Sequence, residues 1–249
     1  MRDSNLKIDI RRKKILDILF KNGKVYIAEL ENELAVSAVT LRNDLSVLEK
    51  EGKLERISGG ATLPQNVLSG VKIPHYRKKT VIASAAAEFI KSGDTLFVNS
   101  GSTALLAATL LCEKQNLNVV TNSLDAARIM GAQPSIRVIL LGGEINSQYG
   151  FTHGGDAQEQ LNRFSADWAI LSVDGISADG EITTYHAEEA IIDRIMMERA
   201  KRVLIVADSS KIGKIGFSFV ESCSDKTQII TNASGKKATL DPKINIKYI

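Results

Sequence analysis

The chain has 249 residues, of which 44% are hydrophobic and only four are proline, so it can bury one large core or a medium and a small one. A net charge of +3 does not by itself indicate a nucleic-acid partner, and two distant cysteines form no CxxC metal pair. No apolar stretch approaches the roughly 20 residues that span a bilayer, and the basic start lacks the core of a signal peptide. These features predict a cytoplasmic protein with no metal, cofactor or membrane partner.

Positive charge is concentrated at the start of the chain, where residues 1–24 carry eight Lys or Arg against three Asp. Apolar residues from Ile10 to Leu19 (Ile10, Ile15, Ile18, Leu19) fall on one helical face, and Asn22-Gly23 predicts the end of that helix. A second, shorter helix is predicted from Ile27 to Leu34, with a tight break at Ala35-Val36.

A third helix is predicted after Ser37, which is placed to cap it, with the leucines at 41, 45 and 48 facing inward. Gly52 predicts its end, and the following KLERISGGA predicts a strand and a Gly-Gly turn, as in a wing. This is a helix-turn-helix layout, although the pattern alone leaves open a small helical bundle with a solvated charged face. If the layout is a helix-turn-helix, the third helix reads the major groove of double-stranded DNA. The residues predicted to face the bases are Ser37, Ala38, Val39, Thr40, Arg42 and Asn43, and those predicted to face phosphates include Arg11, Arg12 and Arg56.

The string VSAVTLRNDLSVLEKEGKLERISGGA, residues 36–61, closely resembles the DeoR family of bacterial transcriptional regulators. It matches nearly every fixed position of the family pattern V-S-x-x-T-[IL]-R-x-D-L-x-x-L-E-x-x-G-x-L-x-R-x-x-G-G-A. Asn43 and Ser58 depart from it, since the family often has Arg and His there. The resemblance implies binding to operator DNA.

Three segments are predicted: a winged helix-turn-helix domain over residues 1–61, a linker over 62–76 and an effector-binding domain over 77–249. The linker has two prolines and no sustained period. The last segment alternates β-rich runs with helical ones, which predicts an α/β domain with a mainly parallel sheet.

Polar residues follow the predicted strands of this domain, in the stretches NSGST, TNS, LGGE, VDG and ADSSK. Ligands of parallel sheets bind beyond the carboxyl ends of the strands. In NSGST the hydroxyl groups and the N–H groups of the following helix suit an anion. Each stretch alone has a plainer interpretation: NSGST as a turn, TNS as a helix cap and Lys211 as a surface lysine. Together they predict a pocket for a phosphorylated, hydroxyl-rich ligand.

The C-terminal part is similar to the effector domain of the same family, which shares its fold with ribose-5-phosphate isomerase. The matching stretches are NSGST, TNS, LLGGE, GEITTYHAEEAIIDR and ADSSKIG. Asn99, Asn146 and His186 depart from the usual Asp, Arg and Asn, which puts the ligand choice in doubt. By position, the resemblance implies phosphate contacts from Ser100, Gly101, Ser102 and Thr103, and a sugar pocket lined by Asn122, Gly142, Gly143, Gly155, Asp174, Glu189 and Lys211, with Asn99 at the ligand.

The predicted function is regulation of a sugar-metabolism operon, with repression as the family tendency and with operator affinity modulated by a sugar phosphate. The chain is predicted to have no catalytic residue. The alternative is a sugar-phosphate isomerase or an amino-sugar deaminase, for which Asp174, Glu189 and Lys211 would supply proton transfer. A homo-oligomer, dimer or tetramer, is expected because protein symmetry matches that of operator DNA. Ile191, Ile195 and Met196 either contact another subunit or pack in the core.

Overall fold

A computed structural model describes residues 2–22, 24–50, 53–62, 75–232 and 240–249. Its contacts divide the chain into two compact units, Met1–Thr80 and Val81–Ile249. Most of the predicted linker, 62–76, and the predicted helix ends at Gly23 and Gly52 lie outside the described residues. In the described parts of the chain, no helix is long and apolar enough to cross a membrane.

The first unit is a winged helix-turn-helix, as predicted. Its strands form an antiparallel sheet in the order β1-β3-β2, in which β1 was not expected from the sequence. The elements are α1 (Arg2–Asn22), β1 (Lys24–Tyr26), α2 (Ile27–Leu34), α3 (Ala38–Lys50), β2 (Glu55–Ile57) and β3 (Gly60–Thr62).

Most of the apolar residues that repeat with helical spacing in α1 and α3 form the core of this unit. Leu41 and Leu45 of α3 are fully buried with Ile15 and Leu19 of α1, whereas Ile10, which was predicted to share the helical face of Ile15 and Leu19, is half exposed. The turn between α2 and α3 is made by Ala35, whose φ of 53° lies in the left-handed region. Ser37 Oγ accepts a hydrogen bond from Thr40 N at 3.4 Å, which confirms the predicted cap.

The second unit is built on a seven-stranded sheet in the order β15-β14-β12-β9-β4-β5-β6, in which every neighbouring pair is parallel. This confirms the predicted α/β domain with a mainly parallel sheet. The helix α4 (Tyr76–Ala87) spans the division between the two units after Thr80. The elements that follow are β4 (Thr95–Val98), α5 (Ser102–Leu111), β5 (Asn118–Thr121), α6 (Leu124–Gly131), β6 (Arg137–Leu140), β7 (Glu144–Asn146), β8 (Phe151–His153), α7 (Gly155–Leu161) and β9 (Ala166–Leu171). They continue with β10 (Gly175–Ile176), β11 (Glu181–Thr184), α8 (Ala187–Arg199), β12 (Ala200–Val206), β13 (Ser218–Ser222), β14 (Thr227–Thr231) and β15 (Ile246–Tyr248).

Two smaller sheets stand beside the main one, and neither was predicted. The β7–β8 hairpin pairs Glu144 with His153, and β10, β11 and β13 form a second antiparallel sheet. The main sheet is buried because its central strands β4, β9 and β12 are apolar on both faces. Since all its strands run in one direction, the loops after β4, β5, β6, β9 and β12 emerge at one edge.

Candidate functional site

The first unit exposes one face of α3. Val39 is 64% exposed, and Arg42 and Asn43 are exposed beside it at the i+3 and i+4 positions. A large apolar side chain that faces water one turn before two polar ones fits contact with a thymine methyl group. Of the other residues predicted to face bases, Ser37 is exposed, and Ala38 and Thr40 are half-buried.

Asp44 lies on the opposite side of α3 and joins this helix to α1. It is buried, and its two carboxylate oxygens accept hydrogen bonds from Arg11 Nε at 2.5 Å and Arg12 Nε at 3.0 Å. The hydrogen bond to Asp44 raises the pKa of Arg11 against the opposing effect of burial. The prediction for Arg11 and Arg12 did not foresee this pairing, which directs the Nε atom of each arginine into the protein. Their phosphate contacts stay a prediction, for which only the terminal NH₂ groups would be available.

Arg56 of the wing is also tied to α3. Its Nη1 donates to Ser46 Oγ at 3.0 Å, and its backbone N–H donates to Glu49 Oε1 at 3.0 Å. The side chain remains exposed, so it can meet phosphate while the wing stays attached to the reading helix.

In the second unit, Asn99 fastens the loop after β4 to the loop after β9. Its side-chain amide accepts from Ser172 N at 2.9 Å and donates to Ser172 O at 2.9 Å and to the Asp193 carboxylate at 3.0 Å. Asn99 and Thr103 are both buried. The structure therefore does not bring the side chains of these two predicted ligand-contacting residues to the surface of the site.

The same loop delivers the N-terminus of α5 to the carboxyl edge. The helix starts at Ser102, and among the described residues no side-chain hydrogen bond caps it at Gly101. Its first turn also has no acidic residue, so the positive end of the helix dipole faces the edge without a counter-charge from that turn. This geometry suits a phosphate group held by backbone N–H groups.

Gly101 is required by close packing. A Cβ atom at this position would lie 2.1 Å from Ser172 Cβ. We expect Gly101→Ala to lower the free energy of unfolding by about 2 kcal/mol, as overpacking in a rigid site does. Urea denaturation measures the change. Gly131→Ala is the control, since a Cβ atom there meets nothing within 4 Å. Equal stability of the two variants would contradict the expectation.

A continuous set of polar side chains lies beside this loop. Ser100 Oγ donates to Glu189 Oε1 at 2.5 Å, and Thr184 Oγ1 lies 3.1 Å from Glu189 Oε2 and 3.2 Å from Asp174 Oδ2. Lys211 Nζ completes the set at 2.8 Å from Asp174 Oδ1. The structure thus connects four predicted site residues, Ser100, Asp174, Glu189 and Lys211, through Thr184, which the sequence analysis did not single out.

Two carboxyl groups of α8 are buried here, one turn apart. Burial is the main cause that raises the pKa of Glu189, and the hydrogen bonds from Ser100 and Thr184 oppose it. Burial also raises the pKa of Asp193 well above its ordinary value, and the neighbouring charge of Glu189 adds to this rise. Such a pair favours holding a proton, so a buried proton donor stands directly behind the site.

Asp193→Asn should flatten the pH dependence of stability. A carboxyl group whose pKa is raised on folding stabilises the fold fully below its unfolded pKa, near 3.8, and this stability is lost as the pH rises through the folded pKa. The variant lacks this titration, so its free energy of unfolding should fall less steeply with rising pH, by up to about 1.4 kcal/mol per pH unit. Denaturation from pH 4.5 to 8 measures the slopes. The exposed Glu198→Gln on the same helix is the control, and equal slopes for Asp193→Asn and the wild type would count against the assignment.

The remaining predicted residues gather around the β7–β8 hairpin. Asn122 is buried and donates to Thr152 O at 3.4 Å, while its Oδ1 has no hydrogen-bond partner in the part of the chain that the structure describes. Gly142 N donates to Gln160 Oε1, and a Cβ atom on Gly143 would lie 2.3 Å from His153 O. Gly155 begins α7 and is exposed.

His186 links the polar side chains around Glu189 to the residues of the β7–β8 hairpin. It precedes α8, and its ring lies 4.3 Å from that of Tyr149 and 6.0 Å from that of Phe151. An aromatic cluster therefore stands between Glu189 and the hairpin. Asn146 instead serves the hairpin turn, because its Oδ1 accepts from Tyr149 N at 3.2 Å.

Family models match both units of the chain. The model of the DeoR-like helix-turn-helix domain matches residues 11–67, and that of the DeoR C terminal sensor domain matches residues 74–233. The chain belongs to the DeoR family. The resemblance found in the sequence is thereby confirmed across both units.

Curated DeoR-type relatives cover nearly the whole chain. The glycerol-3-phosphate regulon repressor of Escherichia coli (strain K12) is 33% identical over 230 residues, which cover 90% of each chain. The HTH-type transcriptional repressor GlcR of Bacillus subtilis (strain 168) is 31% identical over 233 residues, which cover 91% of this chain and 89% of the relative. Among solved structures, ribose 5 phosphate isomerase A from Neisseria gonorrhoeae is 16% identical, with a TM-score of 0.42 over 55% of this chain and 53% of the other.

Four residues of this DeoR chain that were not predicted support either α3 or the polar site of the second unit: Asp44, Ser172, Thr184 and Asp193. Asp193 follows Glu189 by four residues, so helical spacing alone would have placed both carboxyl groups on one face. Ser172 has no comparable signal, since its partner Asn99 lies 73 residues earlier in the chain. Thr184 has none because it reaches Glu189 and Asp174, five and ten residues away, only through the local fold of β10 and β11.

Proposed function

We propose that this DeoR protein is a repressor of a sugar-metabolism operon and that a phosphorylated sugar releases it from operator DNA in the cytoplasm. The observation that carries the proposal is the connected set Ser100, Glu189, Thr184, Asp174 and Lys211 beside the N-terminus of α5, within the region matched by the sensor-domain model. The names of the relatives support repression.

Each end of such a ligand has a complement at this edge. The phosphate group fits the first turn of α5, where backbone N–H groups and the helix dipole favour an anion, and the Lys211 ammonium group adds a positive charge. The hydroxyl groups of a sugar fit the carboxyl groups of Asp174 and Glu189. The buried Asn122 Oδ1 is a further acceptor for a ligand hydroxyl.

Binding at the two units is linked by thermodynamics. If the sugar phosphate lowers operator affinity by some factor, bound operator must lower the affinity for the sugar phosphate by the same factor. The test is a fluorescence-anisotropy titration with an operator selected from random duplexes, repeated with glycerol 3-phosphate, glucose 6-phosphate, ribose 5-phosphate and inorganic phosphate. Release by one sugar phosphate but not by inorganic phosphate is expected. No release by any member of a broad panel would refute the proposed effector class.

Arg42→Ala tests the reading helix. Loss of a bidentate contact to a base should weaken operator binding by about 10-fold to 100-fold and relax selectivity at one base pair. Thermal shifts by the effector should be unchanged, because Arg42 lies in the first unit. Lys50→Ala, at the exposed end of the same helix, is the matched control. Unchanged selectivity in Arg42→Ala would show that α3 does not read bases through this residue.

A sugar-phosphate isomerase or amino-sugar deaminase is the second candidate. It is favoured by Glu189, a buried carboxyl group with a raised pKa beside a lysine–aspartate pair, which is the chemistry of a general acid or base. We expect no turnover, because the relatives are regulators. Incubation of the pure protein with the same sugar phosphates, followed by product analysis, decides between the candidates.

A further inference from the structure

The second unit exposes a group of large apolar side chains around α8 and β13. Phe217 is 82% exposed, and Ile215 and Tyr185 are 71% and 69% exposed. Phe219 and Ile191 add a further ring and a further branched side chain, with 44% and 43% of their surfaces exposed. We call these five residues the α8–β13 surface. The Met196 side chain, by contrast, is fully buried, so this residue belongs to the core and not to the surface.

This surface is held in shape by the backbone beneath it. The backbone pairing of β11 with β13 ends at Thr184 and Ser218, and Tyr185 and Phe217 lie one residue beyond these two paired residues. Ile215 lies between two anchored glycines, because Gly213 N donates to Ile176 O at 2.7 Å and Gly216 N donates to Thr183 Oγ1 at 2.7 Å. An ordered apolar surface loses little conformational entropy when it is covered.

Arg194 joins the helix to the strand. Its Nε donates to Val220 O at 2.7 Å, and its guanidinium carbon lies 5.7 Å from the centre of the Phe219 ring. Ile191 lies one turn earlier on α8, and the exposed Glu188 lies one turn before that. The helix therefore presents an apolar residue between an anion and a cation, each three residues away.

The area of this surface fits one half of a two-fold interface. With about 200 Å² for a whole aromatic side chain, the exposed fractions of its three rings give roughly 400 Å² of apolar area. A standard interface buries about 800 Å² on each partner, of which about 60% is apolar, or roughly 480 Å². The two isoleucines supply the remainder.

The charges on α8 are self-complementary in the way that two-fold symmetry requires. If two α8 helices cross antiparallel at Ile191, Glu188 of each copy faces Arg194 of the other, since both lie three residues from the crossing point. We propose that two copies of this chain pair through the α8–β13 surface, with their α8 helices antiparallel and crossing at Ile191. The pairing is independent of the identity of the effector, and it supplies the second reading helix that a two-fold operator needs.

Sedimentation equilibrium of the full chain tests the pairing. The wild type is expected to dimerise, and Phe217→Asp should raise the dimer dissociation constant by about 100-fold or more, because a central aromatic residue is lost twice. Glu188→Arg should raise it by about tenfold or more, since two like charges then face each other at two places.

Ile145→Asp is the control, because Ile145 is 57% exposed but lies in the β7–β8 hairpin. Circular dichroism and thermal unfolding establish that each variant is folded. Glu188→Arg keeps the test valid if Phe217→Asp fails to fold, since Glu188 is exposed. A monomeric wild type, or a Phe217→Asp or Glu188→Arg dimer as tight as the wild type, would overturn the proposal.

Discussion

Replacement of Asp44 by alanine is expected to have the largest effect in the first unit, on both stability and operator binding. The buried carboxylate is the shared partner of Arg11 and Arg12, so its removal leaves two guanidinium groups facing each other without an anion between them. Removal of one partner from a buried ion pair costs about 3–5 kcal/mol. Since both arginines keep more than a fifth of their side chains in contact with solvent, we expect a loss of about 2–3 kcal/mol.

The same contact fixes the orientation of the reading helix. Arg11 and Arg12 lie on α1, and Asp44 lies on α3 on the side away from Val39 and Arg42, so the ion pairs hold α3 against the helix behind it. Small displacements of a reading helix misalign its hydrogen bonds with the bases. Operator affinity should therefore fall by about tenfold or more in Asp44→Ala, through loss of preorganisation.

Hydrogen exchange distinguishes this effect from the loss of a direct DNA contact. Amide protons of α3 should exchange faster in Asp44→Ala without DNA, whereas those of the seven-stranded sheet in the second unit should be unchanged. Asp17→Asn is the matched control, because Asp17 is an exposed carboxylate on α1. Weaker operator binding with unchanged exchange in α3 would contradict the positioning role.

The helices of the first unit were predictable because their packing is local. Leu41, Leu45 and Leu48 repeat at the period of a helix, and one amphipathic face is enough to place α3 against its neighbours. The strands of the seven-stranded sheet other than its edge strand β15 were predictable for a similar reason, since buried parallel strands are short, nearly continuous apolar runs. The β7–β8 hairpin was missed because its two strands have three residues each, too few to show an alternation.

The site was predictable in its location but not in its contacts. Strand direction brings Ser100, Asp174 and Lys211 to one edge, and the polar ends of the strands show this in the sequence. The buried position of Asn99 was not predictable, because its partner Asp193 lies 94 residues later in the chain. A residue of the right type at a strand end can contact either a ligand or another loop, and only the three-dimensional structure distinguishes the two.

Lys211→Gln is expected to abolish most of the response to effector in the second unit. The Nζ atom is the one cation of the connected polar set, and glutamine removes this charge with a polar side chain that is one bond shorter. Loss of a charge-assisted hydrogen bond to phosphate should raise the effector dissociation constant by about 10-fold to 100-fold. Operator binding without effector should be unchanged, because Lys211 and the reading helix lie in different units.

The neighbouring carboxyl group gives this variant a second readout. Burial raises the pKa of Asp174, but the hydrogen bond and the charge of Lys211, together with hydrogen bonds from Tyr185 N and Thr184, outweigh it and hold the pKa below its ordinary value. A carboxyl group with a lowered pKa stabilises the fold above its unfolded pKa, and this stability is lost as the pH falls through the folded pKa. Without Lys211 the pKa of Asp174 should rise, so Lys211→Gln should lose less stability than the wild type when the pH falls below about 4.

Thermal shift and operator release, measured side by side, test the prediction for Lys211→Gln. The sugar phosphate that releases the wild type from its operator should produce little shift and little release in the variant at the same concentration. Lys214→Gln is the matched control, because Lys214 is exposed three residues further along the same segment. If Lys211→Gln and Lys214→Gln respond to the effector equally, Lys211 does not bind it, and the phosphate must then be held by the N-terminus of α5 without this cation.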